Sequence, residues 1–125
     1  YGMIDMTFHG EPSLLKNQAL GEIVSDLQKK YTHFEKLENT AFECSFGHLD
    51  GYAAAYYGYL WSKVYAEDVF SVFEEIGILS KEVGERYKKE ILYRGGSRDE
   101  YESLVAFLGR EPNAKAFLKS IGLNS

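Results

Sequence analysis

Apolar residues recur at three- and four-residue steps over much of this chain, and glycines break the steps. Leu20, Ile23, Val24, Leu27 and Tyr31 fall on one side of a 3.6-residue period, which predicts an amphipathic helix over about residues 14–34. Before it, the apolar stretch Tyr1 to Phe8 is interrupted by Gly10-Glu11-Pro12. Glu38 to Gly47 lacks a helical period and predicts an irregular or extended connection. Gly47-His48-Leu49-Asp50-Gly51 is a glycine-bracketed turn, and the alanine- and aromatic-rich run beyond it predicts a long helix over about 52–75, closed by Gly77 as a left-handed cap. Ser80 can N-cap a helix over about 81–93, which Arg94-Gly95-Gly96 stops. Ser97 and Glu100 have capping-box spacing and predict a helix over about 97–108, ended by Gly109. A last helix is predicted over about 113–120, with Gly122 past its end. No run alternates long enough to predict a strand. Pro12 and Pro112 leave the middle free for helices, so the fold class is all-α.

The chain has 125 residues, enough for one domain with a modest core. Its 14 Lys and Arg against 19 Asp and Glu give a net charge of −5. That balance argues against a nucleic-acid binder, which carries a basic stripe. Lys29-Lys30 and Lys88-Lys89 read as the wet sides of helices. No window is apolar enough for a transmembrane helix, and no signal peptide is expected. The single cysteine, Cys44, excludes a disulfide framework, fits a reducing compartment and reads as a small buried residue. Because the chain opens at Tyr1 inside an apolar stretch, we expect it to be a piece of a longer protein.

Tyrosine is the compositional outlier. Tyr52, Tyr56, Tyr57 and Tyr59, four of the ten tyrosines, fall within ten residues. At about 100° per residue, a helix would bring Tyr52, Tyr56 and Tyr59 within roughly 60° of one another, with Lys63 extending the stripe. Tyr57, Leu60 and Val64 would form the oily flank, and Trp61 would lie nearly opposite Tyr52. A stripe of phenols beside a complete oily flank reads either as a hydroxyl-lined face on a wet cleft or as an aromatic seam against another helix.

The three histidines, His9, His33 and His48, do not form an H-E-x-x-H pair. Cys44 and His48 have the spacing of half a zinc site, without a second half. His9 and His33 read as surface or cap residues. His48 stands apart, in a glycine-flanked turn just before the tyrosines, where the backbone can bend tightly and a ligand can approach closely. Gly95-Gly96 reads as helix termination rather than a phosphate loop.

Phe46-Gly47-His48-Leu49-Asp50-Gly51-Tyr52-Ala53-Ala54-Ala55-Tyr56-Tyr57-Gly58-Tyr59-Leu60-Trp61 resembles the C-terminal signature of the thimet oligopeptidase family of zinc metallopeptidases. The resemblance continues through Gly84-Glu85-Arg86-Tyr87, Leu92-Tyr93-Arg94-Gly95-Gly96-Ser97, Phe107-Leu108-Gly109-Arg110-Glu111-Pro112-Asn113 and Phe117-Leu118, and upstream through Met3-Ile4-Asp5 to His9-Gly10. It departs from many cytosolic members in having Gly51 alone where they carry a second glycine. That spacing looks like the mitochondrial intermediate peptidase branch, while the tail looks like the cytosolic and bacterial branch.

The resemblance implies zinc-dependent hydrolysis of short peptides, with zinc held by two helices upstream of this region. It implies that residues 1–125 are the C-terminal part of a catalytic domain whose other partner is the missing N-terminal part of the same enzyme. Tyr59 and Tyr52 are implied to stabilise the oxyanion, His48 to bind substrate, Tyr56 to position the peptide backbone, and Gly47 and Gly51 to flex as the cleft closes. The chain by itself is expected to bind no zinc and to be inactive. The implied compartment is the cytoplasm, with the mitochondrial matrix as the alternative. The competing expectation is a non-enzymatic helical module that binds a partner peptide through its tyrosines. Neither reading expects nucleic acid or membrane as a partner.

Overall fold

A computed structural model describes residues 1–11, 15 and 18–123. These residues are helical with turns and no strand, as an all-α chain requires. None of their helices is long and apolar enough to cross a membrane. The chain divides into two units, Tyr1–Tyr59 and Leu60–Ser125.

In the first unit, α1 (Gly2–Phe8) forms from the opening apolar stretch. Helix α2 (Leu20–Tyr31) is shorter than the predicted 14–34. Residues 14, 16 and 17 lie outside the described residues, and Gln18 and Ala19 are not helical. The helix starts at Leu20 because Glu22 accepts the Ala19 amide at 3.2 Å, satisfying a donor that the helix cannot. It ends at Thr32, which is extended. Two short helices follow, α3 (Phe42–Ser45) and α4 (His48–Gly51). They correct the expectation of an irregular stretch up to Gly47 and of a plain turn after it. Cys44, expected to be buried, is exposed. Ile4, Val24 and Phe46 form the core, with Phe8, Leu27, Phe42, Leu49 and Tyr56 packed against it.

Helix α5 (Gly58–Ile76) begins six residues later than predicted, for a reason that belongs to the site. Its buried positions are Val64, Asp68 and Val72, one per turn. Of the expected oily flank only Val64 is buried; Tyr57 and Leu60 are exposed. Trp61 stacks on Tyr65, one turn on, at 5.9 Å. Gly77 closes the helix with φ +133°.

Ser80 caps α6 (Lys81–Tyr87), as its position predicts, by accepting the Val83 amide. The predicted helix to residue 93 does not stay α-helical: Lys88–Leu92 is a π-helical turn. Arg98 clasps it, donating from Nη2 to the Glu90 carbonyl at 2.8 Å and from Nη1 to the Glu90 carboxylate at 3.2 Å. The expected capping box at Ser97 is displaced. Ser97 ends a 3₁₀ turn, Gly95–Ser97, and Asp99 caps α7 (Glu100–Leu108) by accepting the Tyr101 and Glu102 amides. A carboxylate one residue from the helix outcompetes a hydroxyl further away. Gly109 ends α7 at φ +71°. Helix α8 (Lys115–Ser120) starts two residues later than predicted.

The core of the second unit is Val72, Val83 and Phe107, with Val69, Phe73, Tyr87, Ile91 and Leu108 against it. Beside it, the buried Asp68 carboxylate accepts both Arg110 Nη atoms, at 2.9 and 2.6 Å, and the Asn113 amide at 2.8 Å. The fork of Arg110 suits a carboxylate that must be satisfied away from water. Burial alone would push the Asp68 carboxyl up. Arg110 and the Asn113 amide outweigh it and hold the group below the usual carboxylate range.

Candidate active site

The segment between α4 and α5 leaves helical geometry because a remote carboxylate takes its amides. Asp5, on α1, is 1% exposed. Its Oδ1 accepts the Ala54 amide and its Oδ2 the Tyr56 amide, each at 2.9 Å. Ala54 stands at φ +57°, a left-handed conformation that costs an L-residue roughly 1–2 kcal/mol. Tyr52, Tyr56 and Tyr59 therefore do not form the predicted stripe on one regular helix.

They converge all the same, and His48 lies among them. Its ring centroid is 6.1 Å from that of Tyr52, 5.1 Å from that of Tyr56 and 5.9 Å from that of Tyr59. Tyr59 Oη and His48 Nε2 are 3.3 Å apart. Tyr52 and Tyr56 each contact the Tyr59 ring, at 5.7 and 5.0 Å. These residues are open to solvent in this chain: Tyr52 is 42% and Tyr59 54% exposed, and His48 is exposed. Tyr56 is half-buried, edge-on to Phe46 of the core at 5.1 Å. It joins the oily interior to the wet cluster. Within this chain Tyr52 and Tyr59 are therefore not sealed inside oily packing. Beside them lies an open hollow of about 520 Å³ lined by Ser45, Phe46, Gly47, His48, Gly51 and Tyr52.

Gly47 and Gly51 flank His48, yet the backbone does not demand glycine at either. Gly47 is right-handed at φ −58°, Gly51 ends α4, and a Cβ on either would meet nothing within 4 Å. The tight bend expected there sits instead at Ala54. The open space beside both glycines remains available to a ligand.

The carboxyl of Asp5 is held below its ordinary range. Burial, the largest influence, pushes it up, but the Tyr56 and Ala54 amides and His9 together outweigh that. His9, expected as a surface or cap residue, is exposed and C-caps α1, and its Nδ1 lies 2.9 Å from Asp5 Oδ1. His33 is exposed.

A sequence profile described as peptidase family M3 matches residues 1–123. This chain belongs to peptidase family M3. It is similar to oligopeptidase A of Salmonella typhimurium, at 35% identity over 98% of this chain and 18% of the relative. It is also similar to a thimet-like oligopeptidase of Dictyostelium discoideum, at 47% over 64% of this chain and 12% of the relative. Mitochondrial intermediate peptidase of Schizosaccharomyces pombe matches at 35% over 85% of this chain and 14% of the relative. The chain thus spans less than a fifth of the length of these relatives.

Zinc, which the family resemblance implies, does not fit the residues of this M3 segment. Among the described residues no group of three or more His, Cys, Asp or Glu is placed to hold a metal ion. His9 is engaged with Asp5 and His48 with Tyr59. The feature that sequence reasoning missed is Asp5 itself. Its signal was present, within the Met3-Ile4-Asp5 to His9-Gly10 stretch that resembles the family, but nothing local ties that carboxylate to amides 49 and 51 positions away.

Proposed function

We propose that this chain supplies the carbonyl-binding wall of a zinc-dependent oligopeptidase acting on short peptides, as the C-terminal part of its catalytic domain. The observation that carries the reading is the convergence of Tyr52, Tyr56 and Tyr59 on His48, with Tyr52, Tyr59 and His48 exposed in this chain. Membership of family M3 and relatives named as oligopeptidases support it.

Each residue has a part suited to its chemistry. A phenol hydroxyl is neutral at pH 7 and is carried on a stiff ring. Tyr59 and Tyr52 donate to the scissile carbonyl oxygen as negative charge builds there, each fixed donor being worth about 10²–10³ in rate. His48 hydrogen-bonds the substrate beside them. Tyr56, anchored on Phe46, orients the peptide backbone. Gly47 and Gly51, at the two ends of α4, leave room next to His48 and let that short helix move as the peptide binds. Zinc, which these residues do not hold, would supply an activated water if held by the part of the polypeptide that we place upstream of this segment as its structural partner. We assign the cytoplasm as its compartment, with the mitochondrial matrix as the alternative.

The test is hydrolysis of a short fluorogenic peptide by the complete polypeptide and by the 125-residue chain. The complete polypeptide should cleave it and lose activity on chelation, and the 125-residue chain should neither cleave it nor retain zinc. Turnover by the short chain with stoichiometric zinc contradicts this. Binding without turnover by the complete polypeptide favours a peptide-binding module instead.

A further inference from the structure

Among the described residues Asp5 makes no hydrogen bond to a side chain of the cluster, yet it shapes the backbone that carries it. Its buried carboxylate accepts the amides of Ala54 and Tyr56, and His9, one turn along α1, orients it. The two partners of His9 Nδ1 are the Asp5 carboxylate at 2.9 Å and the Asp5 carbonyl at 3.0 Å. Both are acceptors, so Nδ1 carries the hydrogen. Ala54 at φ +57° interrupts what the alanines around it would otherwise continue as helix. After it, Tyr56 turns onto Phe46 and His48, and α5 opens at Gly58 with Tyr59 against His48.

We propose that Asp5, oriented by His9, is the positioning residue for the tyrosine–histidine cluster. It holds Ala54 left-handed and fixes the Tyr56 amide, and so sets Tyr59 Oη against His48. The proposal rests on the oxyanion reading of Tyr59 for its effect on rate, but not for its effect on geometry.

Both effects are measured in the complete polypeptide. Asp5→Asn should lower kcat by about 10²-fold, the loss expected from a misplacement near 1 Å, while KM changes by less than about 3-fold. In a Tyr59→Phe background the same substitution should cost less than about 5-fold, because the group it positions is already gone. Adding Ala54→Gly to Asp5→Asn should recover about 10-fold, since glycine takes a positive φ unaided. A purely structural Asp5 gives equal losses in both backgrounds and no rescue by glycine, and either result overturns the proposal.

The readout independent of activity is the ring resonance of His48 in histidine-labelled protein. It should move in Asp5→Asn and return in Asp5→Asn/Ala54→Gly. An unmoved His48 resonance overturns the proposal whatever the activity, whereas a full-rate Tyr59→Phe enzyme with a moved resonance overturns only the oxyanion reading. If Asp5→Asn does not fold, His9→Ala tests the same link, with a kcat loss of about 10-fold expected for a loosened carboxylate.

Discussion

Tyr59 Oη stands 3.3 Å from His48 Nε2, although Tyr59 is on α5 and His48 on α4, with a left-handed alanine between them. The phenol and the imidazole are poised together at the surface rather than locked into the core. On the proposed reading, each exchanges its partner for a substrate oxygen without leaving a buried polar group unpaired.

His48→Ala removes the group that Tyr59 faces and one that we assign to substrate. We expect a loss of kcat/KM of about 10²-fold, with thermal stability within about 1 kcal/mol of the parent because His48 is exposed. Steady-state kinetics and a thermal melt check both.

Phe107 is fully buried, stacked with Phe73 at 6.1 Å and edge-on to Tyr87 at 5.7 Å. Phe107→Ala should destabilise the second unit by about 3–5 kcal/mol, the cost of a large core cavity. Urea denaturation measures it, as a lower midpoint.

Arg110 explains the Gly-Arg-Glu-Pro signature structurally, through its fork on Asp68. Arg110→Lys keeps the charge and loses the fork. It should cost about 1–2 kcal/mol, and Arg110→Ala about 2–3 kcal/mol, less than for a wholly buried pair because Arg110 is 43% exposed. Thermal melts of the two variants check the order.

Acid should unfold the protein through its held carboxylates. Asp5 and Asp68 lie below their ordinary range: burial opposes this, and hydrogen bonds from amides, His9 and Arg110 outweigh it. Their contribution is therefore complete above the unfolded-state value, about 4, and is lost as pH falls through the lower folded-state value. The midpoint of thermal unfolding should fall steeply below about pH 4. In Asp68→Asn, already less stable at neutral pH, that slope should be shallower.

Helices α2, α6 and α7 were legible as elements because their apolar periods are local, although α2 and α7 start later and α6 ends earlier than predicted. Ser80 caps α6 and Gly109 closes α7 as their positions predict. The members of the tyrosine–histidine cluster could be named from a resemblance spread along the chain, but the geometry that brings their rings together was not legible. Alanines 53–55 have the highest helix propensity, so the local pattern extends α5 back to Tyr52. What breaks the helix is a carboxylate 49 positions earlier, an interaction that exists only once α1 has packed. The π turn at Lys88–Leu92 escaped for the same reason, since Arg98, beyond the next turn, takes the Glu90 carbonyl. Cys44 was misjudged because residue type outweighed its place on a one-turn helix whose neighbour Phe42 packs on the core.

The central claim is that an exposed phenol beside His48 stabilises charge on a peptide carbonyl. Its most direct test is kcat for Tyr59→Phe in the complete polypeptide, on a short peptide at saturating concentration. We predict a fall of about 10²–10³-fold with an unchanged melting profile; a kcat equal to that of the parent enzyme would contradict the account.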